Sequence, residues 1–156
     1  MNQRVYLETT IPSYLTARPS RDIVRAAEQE VTRAWWASRD RFDVYVSDLV
    51  VKEVAAGDPE AAVQRIQSLA GITVLELTPE AQRLGMELVK RAALPAKAVI
   101  DALHISIAAV HGIDYLLTWN CKHIANATMR SKIELVCRTL RFEPPIICTP
   151  MELLEE

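Results

Sequence analysis

The sequence predicts an α/β fold with a mostly parallel sheet covered by helices on both faces. Three observations carry this: short β-rich runs recur along the chain, helical patterns separate them, and the earlier runs lack the tight turn signals of hairpins. Strands joined without hairpins need right-handed crossovers, and crossover helices cover the sheet they connect. At 156 residues, half of them hydrophobic, the chain is sized for a single domain over 1–156 with one core, and no flexible linker, internal repeat or low-complexity segment interrupts it.

The elements follow in order. Arg4 to Leu7 is the first strand, and Glu8 ends its apolar run. A helix is expected over about 21–38, then a strand from Phe42 to Val46, then helices over about 48–56 and 59–69. Gly57 separates those two helices, because glycine takes the left-handed conformation that ends a helix without strain, and Gly112 is read the same way. Ile72 to Leu75 is the third strand. Asp58-Pro59-Glu60, Thr78-Pro79-Glu80 and Thr149-Pro150-Met151-Glu152 each set a capping side chain before a proline at the first helical position, and Thr149 with Glu152 fits a capping box. Helices over about 79–92 and 96–111 lead to a fourth strand at Asp114 to Leu117, and a helix over about 127–140 leads to a fifth at Pro145 to Cys148. Met129, Ile133, Val136, Cys137 and Leu140 form one apolar stripe on that last helix and belong to the core.

Composition narrows the function classes. A net charge of −2 gives no general attraction to nucleic acid, so a polyanion would need a local basic surface. Arg18, Arg21 and Arg25 cluster early and Arg130, Lys132, Arg138 and Arg141 late, while Glu152, Glu155 and Glu156 hold negative charge in the tail; taken alone, either basic cluster reads as a solvated helix face. Apolar stretches are short or broken by Asp101, His104 and His111, and no basic-then-apolar leader opens the chain, so a soluble, cytoplasmic protein without a membrane partner is expected. Cys121, Cys137 and Cys148 lack CxxC spacing, which argues against a disulfide framework or a structural zinc site and for reduced thiols packed as small apolar groups.

The acidic residues carry the chemistry. Ligands of open parallel sheets bind at the carboxyl ends of strands. Glu8 follows the first strand and Asn120 lies just beyond the fourth, so if those strands are neighbours, about 4.8 Å apart, the two side chains share an edge. Asp101 interrupts the apolar stretch from Ala98 to Val110, too far beyond Pro95 to cap its helix, so it requires either a buried arginine or a cation. Glu8 either joins that cation or caps the next turn through Thr9 or Thr10. Glu53 sits near a helix end, where the dipole disfavours an anion; alone it reads as an exposed glutamate. Carboxylates brought together repel and hold protons unless a cation neutralises them, and magnesium or manganese, which takes oxygen ligands and keeps waters for a phosphate substrate, fits best. Asn120 can supply an amide oxygen, and Thr118 or Thr9 can hydrogen-bond the ligands.

Other chemistries lack their residues. The third strand ends Leu75-Glu76-Leu77 without the acceptor aspartate of a receiver domain, and Glu8-Thr9-Thr10 lacks the Asp-x-Asp of a haloacid-dehalogenase-type phosphatase. GxGxxG, P-loop and Gly-x-Ser-x-Gly motifs do not occur. His104, on the helix face of Asp101, reads as a core histidine bonded to backbone, with an orienting role as the alternative; His111 reads as a helix C-terminal residue, and His123, near Asn120, as a possible substrate contact. Trp35, Trp36 and Trp119 read as packing residues, with Trp119 a candidate for the pocket rim.

The run Tyr6-Leu7-Glu8-Thr9-Thr10, then Glu53, then Asp101-Ala102-Leu103-His104-Ile105 leading to Gly112, then Leu117-Thr118-Trp119-Asn120, resembles the PIN-domain family, and within it the VapC-like toxins of type II toxin-antitoxin systems. The resemblance covers essentially the whole chain. It implies a three-layer α/β/α fold with a five-stranded parallel sheet in order 3-2-1-4-5, and a metal-dependent endoribonuclease acting on RNA. It further implies a cognate antitoxin and a homodimer as partners. Glu8, Glu53 and Asp101 would bind Mg2+ or Mn2+, with Asn120 at the fourth position. Many members have aspartate at the first position and often at the fourth; here Glu8 is longer by a methylene and Asn120 lacks a charge. A PIN-like module that binds RNA or protein without cleaving is the alternative that those departures imply.

Overall fold

The computed structural model describes residues 1–91 and 94–154. Five strands, β1 (Gln3–Leu7), β2 (Phe42–Ser47), β3 (Thr73–Leu75), β4 (Tyr115–Leu117) and β5 (Ile146–Cys148), form one parallel sheet in the order β3-β2-β1-β4-β5. This is the implied 3-2-1-4-5 order. β1 is central because Val5, Tyr6 and Leu7 are fully buried and so need neighbours on both edges and cover on both faces. The register sets Leu7 opposite Leu117 and Leu117 opposite Cys148, so the residues after these strands emerge side by side.

The helices are α1 (Thr10–Thr16), α2 (Ile23–Ala37), α3 (Asp48–Val54), α4 (Pro59–Ser68), α5 (Pro79–Lys90), α6 (Val99–Val110) and α7 (Ala127–Thr139). α1 packs on α2 and α4, whereas α5 packs on α6 and α7, the grouping expected when right-handed crossovers run outward from β1 in both directions. The proline-flanked caps form as expected: Asp58 accepts from the Ala61 amide and Thr78 from the Ala81 amide. The Thr149–Glu152 capping box is also present and opens a 3-10 turn, Pro150–Leu153. Gly57 and Gly112 are left-handed at φ +84° and +69°. On α7, Ile133, Val136 and Cys137 are buried, and Met129 and Leu140 pack against the core.

Two elements differ from expectation. α1 was not read from the sequence, because β-branched Thr10 and Ile11 with Pro12 make a poor local helix signal; burial of Ile11 and Pro12 against the neighbouring helices supplies what propensity lacks. The helix expected from 96 begins as a 3-10 turn, Ala96–Ala98, and turns α-helical only at Val99. Asp101 therefore lies in the first turn of α6, where unbonded backbone amides favour an anion. Ala92, the expected end of the 79–92 helix, and the tail residues Glu155 and Glu156 lie outside the described residues.

The cysteines are free. Cys137 and Cys148 are buried, as packed apolar thiols should be, but Cys121 is exposed, because it sits in the turn after Trp119-Asn120 rather than on a packed element.

Candidate active site at the carboxyl edge of the sheet

Glu8 follows β1 immediately, and its amide continues the ladder by donating to the Leu117 carbonyl at 3.0 Å. Its side chain is only 5 % exposed. Burial of a carboxylate requires donors, and Glu8 Oε1 accepts three: the Thr10 amide at 3.2 Å, the Thr10 hydroxyl at 2.6 Å and the Thr118 hydroxyl at 2.7 Å. The turn-capping alternative for Glu8 is thus realised through Thr10, and Thr9 is not part of it. Thr10 Oγ1 in turn accepts from the Trp119 amide at 2.8 Å, and Thr118 Oγ1 from the Asn120 amide at 2.9 Å. Two threonine hydroxyls therefore lock the ends of β1 and β4 together around one carboxylate oxygen.

Glu53 lies in the last turn of α3, and the compensation its position demands comes from across the fold. Its Oε1 accepts from Thr9 Oγ1 at 2.8 Å and is 2.6 Å from His104 Nε2. His104, 1 % exposed, has its other nitrogen 2.7 Å from the Tyr6 hydroxyl, which lies 2.8 Å from Ser47 Oγ. Ser47 accepts from the Val50 amide at 3.2 Å as the cap of α3. A string of polar side chains thus ties the first turn of α3 to its last through β1 and α6. His104 is not the backbone-bonded core histidine expected from sequence: both nitrogens meet side chains. Burial alone raises the Glu53 pKa, but the hydrogen bond and charge of His104, with the Thr9 bond, outweigh it and hold the carboxyl below its ordinary value. Burial raises the Tyr6 hydroxyl far above its ordinary pKa, so it stays protonated.

Asp101 is half-buried at the start of α6, and Asn120 Nδ2 donates to its Oδ1 at 3.1 Å. Asn120 Oδ1 accepts from the His123 amide at 3.1 Å. Burial raises the Asp101 pKa, and the negative charge of Glu53 adds to it; His123, His104 and the Asn120 bond offset this only in part. The arginine proposed as a partner for Asp101 does not materialise: among the described residues no lysine or arginine pairs with Glu8, Glu53 or Asp101.

The structure brings Glu8 to Thr118, Asp101 to Asn120 and Glu53 to Thr9, all at the strand ends, with the His123 backbone on Asn120. Neutral hydroxyls and an amide stand between the acids, so among the described residues no three of His, Cys, Asp and Glu form a ready cage for a metal ion. The donor set nonetheless suits a hard cation. Each carboxylate has one oxygen bonded to protein and a second with no hydrogen-bond partner among the described residues, and two are half-buried. Magnesium and manganese bind through one or two carboxylates, keep waters and leave positions for phosphate, so they do not need a closed protein cage.

Sequence reading named Thr10 only as a capping partner of Glu8, missed Tyr6 as a part of this edge and underrated His104. The adjacent threonines after Glu8 were the available sign for Thr10, since hydroxyls next to a strand-end carboxylate readily bond it.

A parallel sheet of this order with Glu8, Glu53 and Asp101 near its carboxyl edge defines an α/β domain covered by helices. A sequence model of the PIN domain matches residues 5–120, a span that takes in Glu8, Glu53, Asp101 and Asn120, and the chain belongs to the PIN-domain family. Among solved structures, VapBC2 from Rickettsia felis bound to a DNA fragment from its promoter is 15 % identical over 94 % of this chain and 98 % of that one, with a TM-score of 0.57. Mycobacterium tuberculosis VapC20, described as a toxin that cleaves the sarcin-ricin loop, is 18 % identical over 76 % of this chain and 91 % of that one, again with a TM-score of 0.57. At these identities the likeness is one of fold. A comparison with curated proteins gives no match.

Proposed function

We propose that this chain is a divalent-metal-dependent endoribonuclease, the toxin of a VapC-like type II toxin-antitoxin pair, that hydrolyses RNA phosphodiesters. The observation that carries the reading is Asp101: a half-buried carboxylate at the strand ends, its pKa raised by burial and by the charge of Glu53, with no lysine or arginine among the described residues to neutralise the pair. Asp101, Glu53 and Glu8 would hold Mg2+ or Mn2+ through their unbonded oxygens, with Asn120 at the fourth position. The cation supplies positive charge to the phosphate and activates water for attack. The protein's own part is positioning: Thr9 and His104 fix Glu53, Asn120 fixes Asp101, and Thr10 with Thr118 fixes Glu8, so that small displacements costly to catalysis are suppressed. His123, whose charge acts on Asp101, would meet the substrate.

RNA is the substrate in this reading, and a cytoplasmic location follows from it; no helix among the described residues is long and apolar enough to cross a membrane. The VapBC2 neighbour supports a cognate antitoxin as partner, and a homodimer belongs to the same reading. Total RNA incubated with magnesium or manganese should be cut by the wild type, and not after chelation or in Asp101→Asn; equal cutting by the folded variant would overturn the mechanism. One observation favours a second reading. Glu8 has three donors on one oxygen and is almost wholly buried, as a structural carboxylate would be, so a PIN-like module that binds RNA or protein without cleaving is the alternative, and it predicts RNA retention with no cleavage under any metal.

A further inference from the structure

On the flank of the carboxyl edge, three flat groups stack into a column. Trp119, next to Asn120, lies against Tyr14 with ring centroids 6.1 Å apart and planes within 13° of parallel. The indole is held in place by its N–H, which donates to Thr32 Oγ1 at 2.7 Å. Arg25 sets its guanidinium carbon 5.3 Å from the Tyr14 ring centroid, and the guanidinium has no hydrogen bond or ion pair among the described residues. Beside the column opens a cleft of about 320 Å³, lined by Tyr14, Ser20, Asp22, Val24, Arg25 and Glu28, within the size range of small-ligand sites.

The charges of this cleft are arranged for a ligand. Asp22 is committed to the fold, since its Oδ1 accepts from the Arg25 amide at 2.8 Å to cap α2. Glu28 is half-buried, and its carboxylate has no hydrogen bond or ion pair among the described residues. Arg25, one helical turn away, does not close on it although both line the same space.

We infer that this cleft is a guanine-reading subsite for single-stranded RNA, with a base stacked on the Arg25–Tyr14–Trp119 column and its Watson–Crick edge read by Glu28. The inference deepens the ribonuclease reading and rests on it for the identity of the ligand as RNA. Planar guanidinium and aromatic groups stack bases that a single strand can splay out. An ionised carboxylate only accepts hydrogen bonds. Guanine alone presents two adjacent donors, N1–H and the N2 amino group, which match the two carboxylate oxygens. Adenine and cytosine set an acceptor beside their amino group, and uracil flanks its N–H with two carbonyls, so each would face Glu28 with a repelling lone pair. The carboxylates of the cleft likewise reject phosphate, which leaves the base as the entering group and the backbone to run past Trp119 toward Asp101.

The test is fluorescence anisotropy with short labelled RNAs in chelator, where nothing is cut. An oligonucleotide with one guanine should bind about tenfold more tightly than its adenine counterpart, the 1.4 kcal/mol that tenfold represents lying within the discrimination of a good bidentate pair, and inosine, which lacks the N2 amino group, should fall between. Glu28→Gln should erase the guanine preference, weakening guanine RNAs and strengthening adenine RNAs because the amide adds a donor for adenine N1, while Tyr14→Leu should weaken all RNAs alike. Equal binding of guanine and adenine RNAs, no RNA binding at all, or a preference that survives in folded Glu28→Gln would each overturn the subsite. Asp101→Asn should keep the preference, so a failure of the metal reading leaves a distinct signature.

Discussion

The two sides of the carboxyl edge solve the same electrostatic problem differently. At the ends of β1 and β4, Glu8 is buried and one oxygen receives three short-range donors from Thr10 and Thr118. Across the edge, Glu53 and Asp101 are half-buried, their charges act on each other, and their pKa values move in opposite directions. Glu8 is held by residues two positions away and by the neighbouring strand, so its donors arrive with the fold. Glu53 relies on His104, fixed in turn by Tyr6 and Ser47, and Asp101 accepts one hydrogen bond among the described residues, from the Asn120 amide. The first side stabilises the domain; the second keeps charge that folding does not neutralise, as sites poised for a cation do.

The sharpest way to break this contrast is Asp101→Asn. It should lower RNA cleavage by more than about 100-fold, beyond the ~10- to 100-fold range of residues that only support ligands, and raise the melting temperature because a raised carboxyl pKa marks a charge the fold tolerates poorly. A variant that loses activity and also melts earlier would place Asp101 on the structural side. Glu8→Ala should show the reverse emphasis. It strands the Thr10 amide and two hydroxyls, and unpaired buried donors of this kind cost about 2–3 kcal/mol, to be read by chemical denaturation; a loss below about 0.5 kcal/mol, the range of inconsequential surface changes, would show that the threonines find other partners.

His104→Gln tests the support of Glu53. It should weaken manganese binding by about 10-fold, and a full-strength site in the folded variant would reduce the Tyr6–His104–Glu53 string to packing. The smallest effect is in pH. Asp101 has a raised folded pKa, so its contribution to stability is fully present below the unfolded value of 3.8 and is lost as pH rises through the folded value; Asp101→Asn should gain on the wild type over that rise. Glu53 has a lowered folded pKa, so its contribution is present above the unfolded value of 4.5 and is lost as pH falls through the folded one. The deficit of Glu53→Gln should therefore shrink in acid. Parallel curves for both variants would remove the opposition between the two groups.

The sheet and the positions of the acids were legible because they depend on local pattern. β-rich runs end where Glu8 and Thr118-Trp119-Asn120 begin, and an aspartate inside Ala98 to Val110 stands out against its apolar neighbours. Of their partners, the neighbouring hydroxyls of Thr9, Thr10 and Thr118 were legible, and the distant ones were not. His104 shares a helix face with Asp101, yet its nitrogens reach Tyr6, 98 residues away, and Glu53, 51 residues away, contacts that no short window contains. α1 escaped because tertiary burial overrode weak propensity. A 3-10 turn in place of the first helical turn moved Asp101 to a helix start, a shift finer than proline and apolar spacing can define.

The central claim is that the oxygens left unbonded on Asp101, Glu53 and Glu8 gather one divalent ion. Titrating manganese into the wild type and Asp101→Asn by calorimetry tests it directly. Saturable uptake by the wild type that disappears in the folded variant is the predicted result, and the absence of uptake by the wild type, or equal uptake by both, would contradict it.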